Sequence, residues 1–289
     1  METHPYFNLK MHSDEELQNI LNAGLRDRQT LHEWPLSCVQ LLTTDSGDNY
    51  IYKSQTGPTV EARFYASARS PLLTKAETLY DREGYTILLL DYIDGELLRD
   101  REYRKAEALE TSKELVDAIA RIEGDLPCYR DLSTIERWRE FAGPILQTAR
   151  ELIEAGIFKE TRADELNYLE KWAFSQPVIK AFQENIAMAH GDLRGDNILA
   201  TESGYKVIDW QFPMKAPAKL DLVALLESLK VEPQEYVGPS VTGIFYFTRI
   251  AWAVDCQVKW IPEADCYDSW VKGFIQKIRR ANPETGQEP

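Results

Sequence analysis

The chain has 289 residues, 44% hydrophobic and 28% charged, which is ordinary for a soluble globular protein and long enough for two lobes with their own cores. Against 33 Lys and Arg stand 47 Asp and Glu, a net charge of −14, so nucleic acid is repelled on balance and a cationic small molecule attracted. Solubility alone accounts for that charge equally well.

Four scattered cysteines, Cys38, Cys128, Cys256 and Cys266, form no Cys-x-x-Cys pair and no Cys/His cluster. That argues against a zinc site, and nothing suggests a disulfide framework, which fits a reducing compartment. The N-terminal "METHPYFNLKMHSDEE" has no apolar signal core, and the run "TILLLDYI" is far shorter than the about 20 residues that span a bilayer. The expectation is a cytoplasmic protein with no membrane partner and no nucleic-acid partner.

In chain order, "SDEELQNILNAGL" predicts a helix, with Ser13 and Glu16 as a capping box and Gly24 at its end. From about residue 30 to 93 the pattern turns to strands. "CVQLLTTD" and "NYIYKSQ" are joined by the hairpin-like "SGDN". "GPTVEARFYASA" reads as a helix capped by Thr59, and "YTILLLDYI" as a buried strand. After Gly95 the pattern is mainly helical, through "AEALETSKELVDAIARI", "ERWREFAGPILQTARELIEAGI" and "ADELNYLEKWAFSQPVIKAF". Two short strands, "NILAT" and "KVIDW", flank "ESGY". A strand-rich nucleotide-binding lobe (1–92) and a larger helical lobe (93–289) are expected, with a ligand cleft at their hinge.

The chemistry concentrates in "MAHGDLRGDNIL" and the following "KVIDW". Asp192, Asn197 and Asp209 stand beside Ile198, Leu199, Val207 and Ile208, where unpartnered polar groups are costly. The hairpin brings Asn197 and Asp209 side by side at the end of its strands. An amide oxygen with a carboxylate is hard-oxygen ligation suited to Mg²⁺. Asp192 then points at an incoming nucleophile. An Asp/Asn-rich turn explains one such residue but not the ordered set.

This set resembles the catalytic and metal-binding loops of kinases. The form "HGD" with "IDW" is similar to the aminoglycoside phosphotransferase and choline kinase-like family, within the protein kinase-like fold. The resemblance implies an α+β, two-lobe fold and an enzyme that moves the γ-phosphate of ATP to a hydroxyl of a small-molecule substrate, with Mg²⁺ as cofactor. It gives Asp192 the substrate hydroxyl, Asn197 and Asp209 the metal, and His190 a scaffold role. Arg194 is a candidate for the γ-phosphate or a surface residue; Asp196 is a turn residue or a second metal neighbour. The fold also needs a strand lysine paired with a helix glutamate. Lys53 is that lysine and Glu61 its partner, with Glu77 as fallback. Gly47 lies only six residues before Lys53, which makes "DSGD" the turn between the second and third strands. The phosphate loop is then "PLSC", which lacks glycine, with Ser37 or backbone amides to meet the phosphates. The Asp91 carbonyl and Ile93 amide are the adenine candidates. Asp221 braces the catalytic loop or caps a helix. Tyr246, Trp252, Trp260 and Trp270 are core or a cation cage. The acceptor is an aminoglycoside, choline, a sugar or another metabolite, with cations favoured by the charge. The rival of the same fold is a catalytically silent nucleotide-binding protein. A protein kinase is disfavoured because no Ala-Pro-Glu segment follows Asp209.

Overall fold

The computed structural model describes residues 1–282. The first elements are β1 (Glu2–Thr3), β2 (Lys10–Met11), α1 (Asp14–Leu21), β3 (Leu25–Trp34), β4 (Ser37–Thr44), β5 (Asn49–Thr56), α2 (Glu61–Ser67), β6 (Ala76–Arg82), β7 (Tyr85–Asp91) and β8 (Glu96–Leu97). Then come α3 (Lys105–Ala120), β9 (Arg130–Asp131), α4 (Ile135–Glu154), α5 (Ala163–Ala173), α6 (Gln176–Ala181) and β10 (Ile186–Ala189). The rest comprises β11 (Ile198–Thr201), β12 (Gly204–Val207), β13 (Met214–Pro217), α7 (Leu220–Ser228), α8 (Pro239–Asp255) and α9 (Tyr267–Ala281). The α+β division into a sheet-rich N-terminal part and a helical C-terminal part is as expected.

One compact unit gathers Met1–Arg101, Arg121–Tyr129 and Asp196–Phe212. At its centre is an antiparallel sheet of order β3-β4-β5-β7-β6. Successive strand residues face opposite sides, and β5 uses this to separate two jobs. Tyr52 packs into an apolar cluster with Leu9, Leu17, Cys38, Leu42 and Ile87. Lys53, opposite Leu88, lies on the other face, where Leu88 and Leu90 pack against Ala62 of α2. The "SGDN" hairpin is present, with Gly47 at φ +92°, a conformation that favours glycine. The small sheet β12-β11-β8 completes the unit.

Three local expectations need correction. The capping box of α1 is formed by Ser13 and Glu16, but the helix ends at Leu21, with Asn22 left-handed at φ 49°, before Gly24 is reached. Asn tolerates that conformation because its short polar side chain bonds locally. Thr59 is not the cap residue of α2: Val60 is, although the Thr59 hydroxyl still accepts the Glu61 N–H at 3.1 Å. The strand β12 stops at Val207, so Asp209 lies beyond it rather than at its end. A cluster that the spacing hides also appears: ligating atoms of His4, Glu33 and Cys38 lie within 4.8 Å of one another. The His4 Nδ1 accepts the Tyr6 N–H at 3.3 Å, which leaves Nε2 carrying the proton toward Glu33.

The other unit comprises Glu102–Ala120, Arg130–Gly195 and the described residues from Pro213 to Asn282. Its core is aromatic: Trp138 packs 5.0 Å from Phe247 and donates its indole N–H to the Ala173 carbonyl at 2.8 Å. The run 163–182 divides into α5 and α6, because Ser175 and Pro177 restart the helix. Among the described residues no helix is long and apolar enough to cross a membrane.

Asp268 on α9 ties down the entry to α5. Its carboxylate accepts the backbone N–H groups of Lys159, Glu160 and Thr161 at 2.5, 2.6 and 2.9 Å. Burial pushes this carboxyl up, but the three amides and the Thr161 hydroxyl together outweigh it and hold it below the ordinary Asp value. A depressed folded pKa means stability that is present above the unfolded value and is lost as pH falls through the folded one. Asp268→Asn is therefore expected to destabilise at pH 7 and to lose less stability than wild type between about pH 5 and pH 3. Urea titrations of both proteins at about pH 7, pH 5 and pH 3 check this.

Candidate active site

In the first unit, Lys53 Nζ donates to Glu61 Oε2 at 2.7 Å and to Asp209 Oδ1 at 2.5 Å. Lys53 and Glu61 are buried, at 8% and 1% side-chain exposure, and Asp209 is partly open at 34%. The expected pairing of Lys53 with Glu61 is thus observed, and Glu77 stays on β6 with an exposed position. Burial alone pushes the Lys53 ammonium down, but the charges of Asp209 and Glu61 outweigh it and raise it. The lysine is therefore held charged between two carboxylates. Gln55, two residues along the same strand face, donates to the same Glu61 Oε2 at 2.9 Å.

Asp209 adopts φ +68°, a left-handed backbone uncommon outside glycine and tolerated by aspartate. Trp210 fixes this geometry. Its ring stacks on Phe64 of α2 at 4.3 Å, and its indole N–H donates to the Val207 carbonyl at 3.0 Å. The Val60 N–H donates to the Gln211 carbonyl at 3.3 Å, and the Gln211 amide donates to Asp209 Oδ1 at 2.8 Å. Asn197 is brought to the same hairpin end: Ile198 pairs with Val207, and the Ile208 N–H donates to the Asn197 carbonyl at 3.0 Å. An amide oxygen and a carboxylate on adjoining segments fit a hard cation such as Mg²⁺.

In the second unit, the loop at His190 is fastened by α7. Asp221, buried at the start of that helix, accepts the His190 N–H at 2.6 Å and the Gly191 N–H at 2.9 Å. Its carboxyl is raised by burial, against the His190 charge and these two amides. At the far end of α7, the Ser228 hydroxyl accepts the Gly195 N–H at 2.9 Å. The Asp192 N–H donates to His190 Nδ1 at 3.3 Å, so the buried His190 shapes the loop. The Asp192 carboxylate meets Arg249 of α8 at 2.9 Å. Arg194 is exposed. In the first unit, Asp196 lies 3.5 Å from Arg99.

The remaining candidates are placed as follows. Ser37 is buried and its hydroxyl accepts the Trp34 indole N–H at 2.9 Å across the short turn between β3 and β4. Asp91 closes β7; its carbonyl accepts the Thr74 hydroxyl at 3.1 Å and its N–H donates to Lys75. Ile93 follows in the segment after the strand. Tyr246 is buried and donates to Glu227 at 2.9 Å, Trp252 and Trp260 pack 4.9 Å apart, and Trp270 is exposed. Sequence reasoning passed over Gln55, Ser228 and Arg249. The signal for two of them was a polar residue inside an apolar stretch, "YIYKSQ" and "FYFTRIAWAV".

The sequence matches the phosphotransferase enzyme family (APH) over residues 61–240. A comparison with curated proteins finds no match. Among solved structures, the chain is similar to a thermostable mutant of the aminoglycoside phosphotransferase APH(4)-Ia in ternary complex with ADP and hygromycin B. The TM-score is 0.64 at 17% identity, over 94% of this chain and 99% of that one. It is similar to spectinomycin phosphotransferase APH(9)-Ia with ADP and spectinomycin at TM-score 0.58 and 12% identity, over 94% and 99% of the two chains. It is also similar to a choline kinase from Cryptosporidium parvum Iowa II at TM-score 0.57 and 13% identity, over 89% of each chain. These likenesses establish the fold, that of the kinase-like phosphotransferases. The chain belongs to the phosphotransferase enzyme family and is by class a small-molecule kinase.

Removing the shared cation leaves two carboxylates facing each other, one of them fully buried. Lys53→Met is expected to cost about 3 kcal/mol of stability at pH 7. The loss should shrink near pH 4, where Glu61 can take up a proton. Denaturant unfolding at the two pH values measures both.

Proposed function

We propose that the protein is an ATP- and Mg²⁺-dependent phosphotransferase that moves the γ-phosphate to a hydroxyl of a small molecule. The observation that carries this reading is the buried Lys53 shared by Glu61 and Asp209, with Asn197 on the adjoining strand end. Lys53 binds the nucleotide phosphates while Glu61 keeps its ammonium in place. Asn197 and Asp209 would hold Mg²⁺, which would neutralise phosphate charge. Asp192, held by the loop that Asp221 and Ser228 fasten, orients the acceptor hydroxyl and accepts its proton. The acceptor oxygen forms a bond to the γ-phosphorus. The bond to the bridging oxygen breaks, its electron pair leaves with ADP, and the proton passes through Asp192 to solvent. Positioning and charge provide most of the rate in such transfers.

The glycine-free turn Pro35-Leu36, with the Ser37 hydroxyl already engaged by Trp34, favours a second reading, a catalytically silent nucleotide-binding protein. Asp192→Ala separates the two. The first reading expects ATP affinity within a few-fold of wild type and phosphoryl transfer reduced by about 100-fold or more, the usual worth of a positioned base. Equal rates of ADP release from wild type and variant across an acceptor panel would remove Asp192 from this role.

A further inference from the structure

The assignment of Asp192 leaves one neighbour unexplained. Arg249 stands on α8, in a helix otherwise made largely of buried apolar and aromatic residues, and its Nη1 lies 2.9 Å from Asp192 Oδ1. Both side chains are 27% exposed, so a small molecule reaches them. A guanidinium carries five N–H donors in a rigid fork that matches an oxyanion. Among the described residues its one hydrogen bond is that to Asp192. The loop under Asp192 is fastened through Asp221 and Ser228, so the carboxylate that Arg249 meets is fixed in place.

The other carboxylates on these two helices are already partnered. Glu227 at the end of α7 accepts the Tyr246 hydroxyl at 2.9 Å and Lys277 at 2.5 Å. Asp255 at the end of α8 has Lys259 at 2.6 Å and Arg130 at 3.7 Å. A cationic acceptor approaching Asp192 meets a fixed cation there and finds α7 and α8 acids neutralised. The overall charge of −14 attracts cations from afar, but that attraction is screened beyond about 10 Å, whereas Arg249 acts at contact.

We propose that Arg249 is the acceptor-recognition residue and that the acceptor is anionic: a hydroxylated molecule whose carboxylate or phosphate takes the N–H donors that Asp192 leaves. The inference rests on the kinase reading above and adds the charge class of the substrate. A charge-neutral hydroxyl compound of the same skeleton binds more weakly, and a quaternary or protonated amine is disfavoured.

The test is ADP release from ATP and Mg²⁺ above the acceptor-free rate, with D-glycerate, glycerol 3-phosphate, glycerol, choline and hygromycin B as probes. Stimulation at least tenfold greater by D-glycerate or glycerol 3-phosphate than by glycerol is expected, and which of the two is better tells a carboxylate from a phosphate. Arg249→Gln should raise KM for the anionic probe at least tenfold with a smaller change in kcat. Arg249→Lys should recover part of that KM, which a merely structural arginine would not show. Stimulation by choline or hygromycin B above the anionic probes, stimulation by no anionic probe, or an unchanged KM in Arg249→Gln overturns the inference. Failure of the kinase reading looks different: no ADP release with any probe, and no magnesium-dependent nucleotide binding.

Discussion

A single ammonium group, that of Lys53, sits on a central strand of a sheet and is shared by two carboxylates, one on the next helix and one 156 residues further along the chain. Much of the first unit is arranged to make that possible. A lysine inside a sheet is costly unless paired. The pairing is geometric: β5 turns Tyr52 into the apolar cluster and Lys53 toward α2, while α2 begins with Glu61. Trp210 stacked on Phe64 then fixes the left-handed Asp209. Loss of Lys53 leaves two carboxylates without their cation, and loss of either carboxylate leaves the ammonium on a single partner, so the three residues behave as one element.

The second unit solves a different problem, holding an irregular loop still. The loop from His190 to Gly195 has no ladder to satisfy its amides, and α7 satisfies them from both of its ends, through Asp221 and Ser228. Buried backbone donors need such partners. The same device recurs where Asp268 gathers three successive amides ahead of α5. In both places a carboxylate on a helix fixes a stretch of chain more than a hundred or some thirty residues away; burial wins at Asp221, whose carboxyl is raised, and the hydrogen bonds win at Asp268, whose carboxyl is lowered.

Local chemistry was readable from the sequence and long-range partnership much less so. The capping box at Ser13, the "SGDN" hairpin and the lysine in a run of Tyr and Ile depend on neighbours within a few positions. The order His190, Asp192, Asn197, Asp209 carried the resemblance because that chemistry fixes its own spacing. Strand β3 was harder: "LRDRQTLHEW" is largely exposed and its pairing with β4 is interrupted by two register shifts, which blur the alternation. The halting of α1 at Asn22 rather than Gly24 was hidden because two residues there accept a left-handed backbone. Arg249 was visible as a charge in an apolar helix, but its partner lies 57 positions away, and nothing in local periodicity points to it.

The measurement closest to the central claim is the thermal unfolding midpoint with ATP, with and without Mg²⁺, for wild type and Asp209→Ala. A ligand that binds only the folded state raises the midpoint by mass action. The account predicts a magnesium-dependent rise in wild type that the variant lacks. An equal rise in both proteins, or none in wild type, would contradict the assignment of Asp209 and the nucleotide site built around Lys53.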